Sequence, residues 1–218
     1  MRQQIPLDKY SVAWFKLAEC VARGEKERAM GVYRLLSYSI EDQAFASQLA
    51  GDLLWAFDDE QAAAEYHHAA QLYQKENRLL EAVAVYEHLI TLIPKKELYL
   101  KNAADLYLQL DRKQQAISCL NNLFELLLEK NNYRKAHDIT KRLDMLLDDA
   151  QAANMHKKML FFFILDEDAP QEKVVHHLYK AVDCFLASNN DKKLQMFLLK
   201  LKTHDEWCYK KAQAYLKK

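Results

Sequence analysis

The sequence predicts an all-α fold built from antiparallel helical hairpins. Apolar residues recur every three or four positions along most of the chain, as in Trp14, Leu17, Ala18 and Val21. No segment shows the period of two that marks a strand. The 218 residues include only three glycines and three prolines. Because a β-rich chain needs many such turn residues, their scarcity favours helices joined by short polar turns.

Short polar breaks divide the chain into about twelve helices of roughly 11–18 residues. Most breaks contain Asp or Asn, which we expect to cap the following helix by accepting its free amide hydrogens. Pro94 ends one helix, because it lacks an amide hydrogen and its ring clashes with the preceding turn. The breaks lie at Gly24-Glu25, Asp58-Asp59, Asn77-Arg78, Pro94-Lys95, Asp111-Arg112, Asn131-Asn132, Asp148-Asp149, Asp166 to Pro170, Asn189-Asn190 and Thr203-His204.

The charge is balanced overall but unevenly distributed. Residues 39–68 contain seven acidic residues and no lysine or arginine, whereas residues 169–218 contain ten lysines and five acidic residues. Solvated helix faces are the simpler interpretation, and a charged docking surface is the alternative. Because the sign changes near residue 168, we predict a repeat region at 1–168 and basic C-terminal helices at 169–218 that pack on it or cap it.

Two consecutive segments carry the same pattern, 34 residues apart. Small residues on both helices of each pair let the backbones approach, and large residues fill the space between pairs. The first copy contains Tyr66, Ala69, Ala70, Tyr73, Ala82, Tyr86 and Pro94, and the second contains Leu100, Ala103, Ala104, Tyr107, Ala116 and Leu120. This pattern resembles the tetratricopeptide signature W-x₂-L-G-x₂-Y…A-x₃-F…P.

The resemblance covers roughly residues 10–145 and is specific in the two central copies. Weaker copies overlap them, so the helix at 62–75 can be read as the first or the second helix of a pair. Alanines at 62, 82, 116 and 136 follow steps of 20, 34 and 20 residues, which is similar to SNAP-like or degenerate bacterial members. The resemblance implies a right-handed α-solenoid with C-terminal capping helices and a concave groove that binds a peptide or helix.

The resemblance also implies which residues face that groove, since in this family they come from the first helix of each pair. Polar side chains at such positions suit the capture of an extended peptide, and an ordinary solvated face explains them equally well. Carried onto the two clear copies, the partner-binding candidates are His67, Gln71, Gln74, Lys75, Lys101, Asp105 and Gln109.

No residue pattern points to catalysis, a metal or a cofactor. The sequence has no phosphate-binding glycine loop, GxSxG, HExxH or kinase motif. The doublets His67-His68 and His176-His177 cannot chelate as units, because adjacent helix residues point about 100° apart. His204 and Cys208 have helical spacing but lack a third ligand. We therefore expect a chain that is not an enzyme and uses no metal or cofactor.

Composition also limits the class of partner and the cellular compartment that we expect. Equal numbers of basic and acidic residues, 31 each, argue against a general nucleic-acid binder. Widely spaced cysteines, no apolar signal-peptide core and no long apolar run predict a soluble cytoplasmic protein without membrane insertion. The longest apolar run, Met159 to Leu165, is predicted to be a buried helix covered by the C-terminal helices, and a partner or homodimer seam is the alternative.

The sequence therefore predicts a protein-interaction scaffold, an adaptor or chaperone that binds a peptide or helix of another protein. Three alternatives stay open at this point: a peptide-sensing regulatory domain, a subunit of a larger assembly, and an enzyme with an all-helical active site.

Overall fold

The computed structural model describes residues 7–166 and 168–217. The parts of the predicted regions that fall on residues 1–6, 167 and 218 lie outside them. The described residues form twelve α-helices and no strand, which confirms the predicted all-α class. The helices are α1 (Leu7–Ala22), α2 (Lys26–Ser37), α3 (Gln43–Ala56), α4 (Ala62–Lys75), α5 (Leu79–Leu92), α6 (Glu97–Gln109), α7 (Lys113–Glu129), α8 (Tyr133–Asp144), α9 (Asp149–Leu165), α10 (Gln171–Ala187), α11 (Asp191–His204) and α12 (Glu206–Leu216).

The chain forms two compact units, Met1–Arg112 and Lys113–Lys218. In the first unit each helix from α1 to α6 packs on the next. In the second unit α7 to α12 do the same, and α12 also packs on α10. The predicted division at residue 168 falls between α9 and α10, which pack on each other in the second unit. That division, and the right-handed superhelix, stay predictions.

Six turns between helices share one hydrogen-bond pattern around a residue with positive φ. At Asn77 (φ 59°) the amide donates to the Gln74 carbonyl at 3.0 Å, and the next amide donates to the Tyr73 carbonyl at 2.8 Å. This is the Schellman motif, in which a left-handed residue ends a helix and satisfies its last carbonyls. Gly, Asn and Asp tolerate that conformation best. The residues are Gly24, Asp58, Asn77, Asp111, Asn131 and Asn189.

These turns correct one prediction. Asp and Asn at the breaks were expected to cap the following helix, but the five with positive φ end the preceding helix instead, because they tolerate the left-handed conformation. At three breaks the expected capping by Asp or Asn is confirmed. Asn132, Asp148 and Asn190 each accept the amide hydrogen of the residue three positions later.

The small residues of the repeat pattern are buried as predicted. Ala70, Ala82, Ala104 and Ala116 have no exposed surface. The buried interpretation of the apolar run in α9 holds for Met159, Leu160 and Phe163, whereas Leu165 is 79% exposed. Phe161 contacts Phe197 of α11 edge to face at 6.4 Å. The α9 run therefore belongs mainly to the core of the second unit, and a partner seam at its exposed end stays a prediction.

A close contact at Gly51 leads to a stability prediction. A Cβ added there would lie 2.8 Å from Cδ1 of Tyr66. The Tyr66 ring is buried, and its hydroxyl donates to Asp52 at 2.7 Å. Because the pinned ring has to move, we expect Gly51→Ala to cost about 1–3 kcal/mol in overpacking, more than the ~1 kcal/mol gained in helix propensity. Chemical denaturation should show a net loss of stability.

Gly31 provides the matched control, because it lies inside α2 and an added Cβ would meet nothing within 4 Å. Gly31→Ala should therefore raise the free energy of unfolding by roughly 0.5–1 kcal/mol. Equal stabilisation by the two substitutions would contradict the close contact at Tyr66.

Candidate protein-binding surface

The structure places all seven predicted binding residues on two helices of the first unit. His67, Gln71, Gln74 and Lys75 lie on α4, and the other three lie on α6. On α6 the three residues are four positions apart, and on α4 His67, Gln71 and either Gln74 or Lys75 are three or four apart, a spacing that keeps them on one side of each helix. Gln71, Lys75, Lys101 and Gln109 are exposed, whereas His67, Gln74 and Asp105 are partly buried. We call these seven residues the α4–α6 surface.

His67 links the two helices of this surface. Its ring lies 5.7 Å from the ring of Tyr99 at the start of α6 and 5.8 Å from that of Tyr86 on α5. Nδ1 of His67 lies 3.2 Å from the Tyr86 hydroxyl, and the Asn102 amide donates to the same hydroxyl at 2.8 Å. The cluster thus joins α4, α5 and α6. The other six residues of the α4–α6 surface are assigned to it by their positions along α4 and α6.

The hydrogen bonds assign a chemical role to His67. Because the Tyr86 oxygen accepts from Asn102, its own hydrogen is available to Nδ1 of His67. Burial, followed by His68 and Lys96, lowers the pKa of His67 below its ordinary value. A neutral His67 that accepts at Nδ1 carries its hydrogen on Nε2. It is therefore a hydrogen-bond donor suited to a carbonyl oxygen.

Sequence reasoning missed Tyr99. It is an aromatic residue outside the repeat pattern, one position before Leu100, and that is the only signal the sequence offers. The structure buries it against His67 and Tyr86, where it forms part of the wall that holds His67 in place.

A recess of about 320 Å³ lies between α3 and α5, beside Tyr66 of α4, and holds none of the predicted binding residues. It is acidic, but its polar groups are engaged within the fold. Tyr66 donates to Asp52, and the Tyr73 hydroxyl donates to Gln48 at 2.9 Å. The lining residues are Gln48, Asp52, Tyr66, Glu81, Ala84, Val85 and His88.

Part of the acidic stretch at 39–68 is neutralised inside the first unit. Asp42 accepts from Arg78 at 2.6 Å, and Asp59 accepts from Lys26 at 2.6 Å. Both pairs join residues more than thirty positions apart, so they fix helices relative to each other. Asp42 and Asp59 therefore contribute to the fold, and the choice between solvated faces and a charged docking surface stays a prediction.

None of the helices within residues 7–166 and 168–217 combines the length and the hydrophobicity of a membrane-spanning segment. In the same part of the chain, no three His, Cys, Asp or Glu side chains are grouped so as to hold a metal ion.

Comparison with known families identifies the repeat. The tetratricopeptide repeat model matches residues 63–96, which contain α4 and α5. Within the matched repeat, α4 is the first helix and α5 is the second. Residues 63–96 therefore carry a tetratricopeptide repeat, and this match supports a tetratricopeptide-like helical-repeat superfamily. Such repeats are generally protein–protein interaction scaffolds and are typically non-catalytic.

Solved structures with distant similarity include a kinesin light chain repeat protein from Podosopora anserina, at 11% identity and a TM-score of 0.42 over 98% of this chain and 99% of that one. Another is BtubC from P. vanneervenii, at 16% identity and a TM-score of 0.38 over 92% of this chain and 78% of that one. A tetratricopeptide repeat protein from Parabacteroides merdae has 14% identity and a TM-score of 0.27 over 94% of this chain and 99% of that one. No curated protein matches the sequence.

Proposed function

We propose that this protein is an adaptor that holds an extended segment of a partner protein on the α4–α6 surface. The observation that carries the proposal is the cluster of His67, Tyr86, Tyr99 and Asn102. It joins the first helix of the matched repeat to the first helix of the next one. In tetratricopeptide-like proteins, first helices line the groove, so these two helices are the ones expected to meet a ligand.

The chemistry of the surface suits a peptide backbone. His67 offers an N–H donor, and the amides of Gln71, Gln74 and Gln109 both donate and accept. An extended peptide presents alternating carbonyl and amide groups along its length. Lys75 and Lys101 outnumber Asp105 on this surface, and the resulting net positive charge favours an acidic side chain in the ligand.

The proposed setting is the cytoplasm. The four cysteines are free, and one of them, Cys208, is buried. Free thiols suit a reducing compartment such as the cytoplasm.

The proposal can be tested without knowing the partner. Peptides are selected from a random displayed library against the full chain, and their affinities are measured by fluorescence anisotropy. We expect Gln71→Ala and Lys101→Glu each to weaken the selected peptides about tenfold, which corresponds to about 1.4 kcal/mol. The first change removes an amide that can bond to the backbone, and the second reverses a charge.

Lys16→Glu is the matched control, because it makes the same charge change at an exposed residue of α1 in the same unit. It should leave the affinity within about twofold of wild type. If the selected peptides bind both α4–α6 variants as tightly as wild type, while circular dichroism shows the variants to be folded, the proposed surface is wrong.

A further inference from the structure

The second unit contains a cluster of four histidines where α8, α9 and α10 meet. His137 lies on α8, His156 on α9, and His176 and His177 on α10. His156 and His177 have no exposed surface. The ring of His177 lies 5.1 Å from each of the other three rings. Nothing in the proposed peptide-binding role uses these side chains, because they belong to the other unit.

Hydrogen bonds join three of the histidines into a chain that ends on a carboxylate. Nδ1 of His137 lies 2.9 Å from Nε2 of His177, and Nδ1 of His177 lies 2.8 Å from Nδ1 of His156. Nε2 of His156 lies 2.9 Å from Oδ1 of Asp144. Burial opposes ionisation of Asp144, but the hydrogen bond from His156 and nearby positive charges outweigh it and lower its pKa. An ionised Asp144 only accepts, so His156 donates to it.

When all three imidazoles are uncharged, a single arrangement of their hydrogens gives each of these hydrogen bonds one donor and one acceptor. His156 accepts from His177, and His177 accepts from His137. The remaining nitrogen of His137, Nε2, then carries a lone pair. One added proton changes this atom into a donor. Nε2 of His137 becomes a donor in both possible arrangements. In one, the extra proton stays on His137; in the other, every hydrogen bond between the histidines reverses its direction and the extra proton ends on His156.

His137 and Asp144 also line an open pocket of about 380 Å³ between α8 and α10. Positive charge predominates in the rest of the lining. The other lining residues are Lys141, Glu172, Lys173, His176 and Lys180. Lys141 pairs with Asp138 at 3.1 Å. Lys173 and Lys180 form no ion pair with any residue that the structure describes.

The electrostatics of the pocket agree with this excess of positive charge. Burial, then Lys141 and Lys173, lowers the pKa of His137. Burial, then His156 and Lys180, lowers the pKa of His176. The ammonium groups therefore act on the same rings from both helices. A bound anion would reverse that effect and favour protonated rings.

We propose that this pocket binds a phosphate monoester, and that binding is coupled to proton uptake by the histidine chain. A phosphate monoester carries nearly two negative charges at neutral pH and offers three acceptor oxygens. Three lysines and the Nε2–H of protonated His137 supply complementary donors. The pocket is larger than a phosphate group, so it has room for the group to which the phosphate is attached.

The charged and titratable groups around the site come from all three helices. They are His137, Asp138, Lys141 and Asp144 on α8, His156 on α9, and Glu172, Lys173, His176, His177 and Lys180 on α10. The proposal concerns the second unit and is independent of the α4–α6 surface, so either can fail without the other.

The test is a titration of the full chain with inorganic phosphate, followed through the ring carbon–proton signals of the histidines. We expect saturable shifts of the His137 and His176 signals with a dissociation constant in the millimolar range. Removing two charges with Lys173→Gln and Lys180→Gln should weaken binding about tenfold. The double variant Lys192→Gln and Lys193→Gln on α11 removes the same charge from exposed positions and should bind like wild type.

O-phosphoserine and glucose 6-phosphate are titrated in parallel, and the tighter of the two identifies a protein or a metabolite as the source of the phosphate. Sulfate tests the proton coupling, because it stays a dianion when the pH falls. Its affinity should rise as the pH is lowered below about 7, because the bound anion raises the lowered pKa of the free rings toward the ordinary histidine value of about 6.5. No saturable shift with any probe, or equal affinity in the Lys173 and Lys180 variant, overturns the site. A sulfate affinity independent of pH overturns the coupling.

Discussion

Replacing Tyr86 by alanine is expected to destabilise the first unit more than any other single change considered for this protein. Tyr86 is fully buried, and its ring contacts those of His67 and Tyr99. Truncating a buried aromatic side chain to alanine typically costs about 3–5 kcal/mol, because it removes apolar contacts and leaves a cavity. Urea denaturation should show this loss as a lower transition midpoint.

Tyr86→Phe separates packing from hydrogen bonding at the same position. It keeps the ring but removes the hydroxyl that accepts from Asn102 and approaches His67. We expect a smaller loss of about 1–2 kcal/mol, together with weaker peptide binding, because His67 and Asn102 lose the partner that orients them. Equal stability of wild type and Tyr86→Ala would show that this cluster does not join the three helices.

Acid should destabilise the second unit well above the pH at which carboxylates titrate. Burial, followed by the neighbouring histidines and Lys173, lowers the pKa of His177 to about 2. In the unfolded chain a histidine titrates near its ordinary pKa of about 6.5. Below that pH the unfolded state binds a proton that the folded state excludes, so stability is complete above about 6.5 and falls as the pH is lowered toward the folded pKa.

The expected slope from His177 alone is about 1.4 kcal/mol per pH unit, or about 2 kcal/mol between pH 6.5 and pH 5. The lowered pKa values of His137 and His176 act in the same direction. Asp144, whose pKa is also lowered, contributes stability that is lost only at lower pH. The measurement is the free energy of unfolding from urea titrations at several pH values.

His177→Gln should flatten this profile, because glutamine keeps a donor and an acceptor but does not titrate. Leu178→Ala is the control, since Leu178 is fully buried on the same helix and its truncation removes stability without removing a proton site. Its profile should run parallel to that of wild type. A His177→Gln profile as steep as the wild-type one would mean that other groups cause the acid sensitivity.

Much of the fold could be predicted because its signals are local. Helical periodicity, paired alanines and polar breaks all act within a few residues of each other along the chain. The breaks at Gly24, Asp58 and Asn77, for example, are where left-handed residues end helices. What those residues do was predicted less well, because ending a helix and capping the next one both favour Asp and Asn.

The pairing of helices could not be read from the sequence, because every helix of a repeat array packs on both of its neighbours. The candidate surface was predicted by matching this sequence to the repeat pattern of the family, and not from the chemistry of its side chains. Its link through His67 and Tyr99 depends on side-chain positions that periodicity does not specify. The histidine chain had no sequence signal, since His137, His156 and His177 are 19 to 40 residues apart and meet only when α8, α9 and α10 pack.

The most direct test of the central claim is site-specific photo-cross-linking of a selected peptide to the full chain. Benzoylphenylalanine is placed at Gln71 or Gln109 on the α4–α6 surface, and at exposed Ala84 beside the α3–α5 recess. If α4 and α6 hold the partner segment, the peptide cross-links from positions 71 and 109, and unlabelled peptide competes it away. Cross-linking from position 84 with none from positions 71 and 109 would contradict the proposed function.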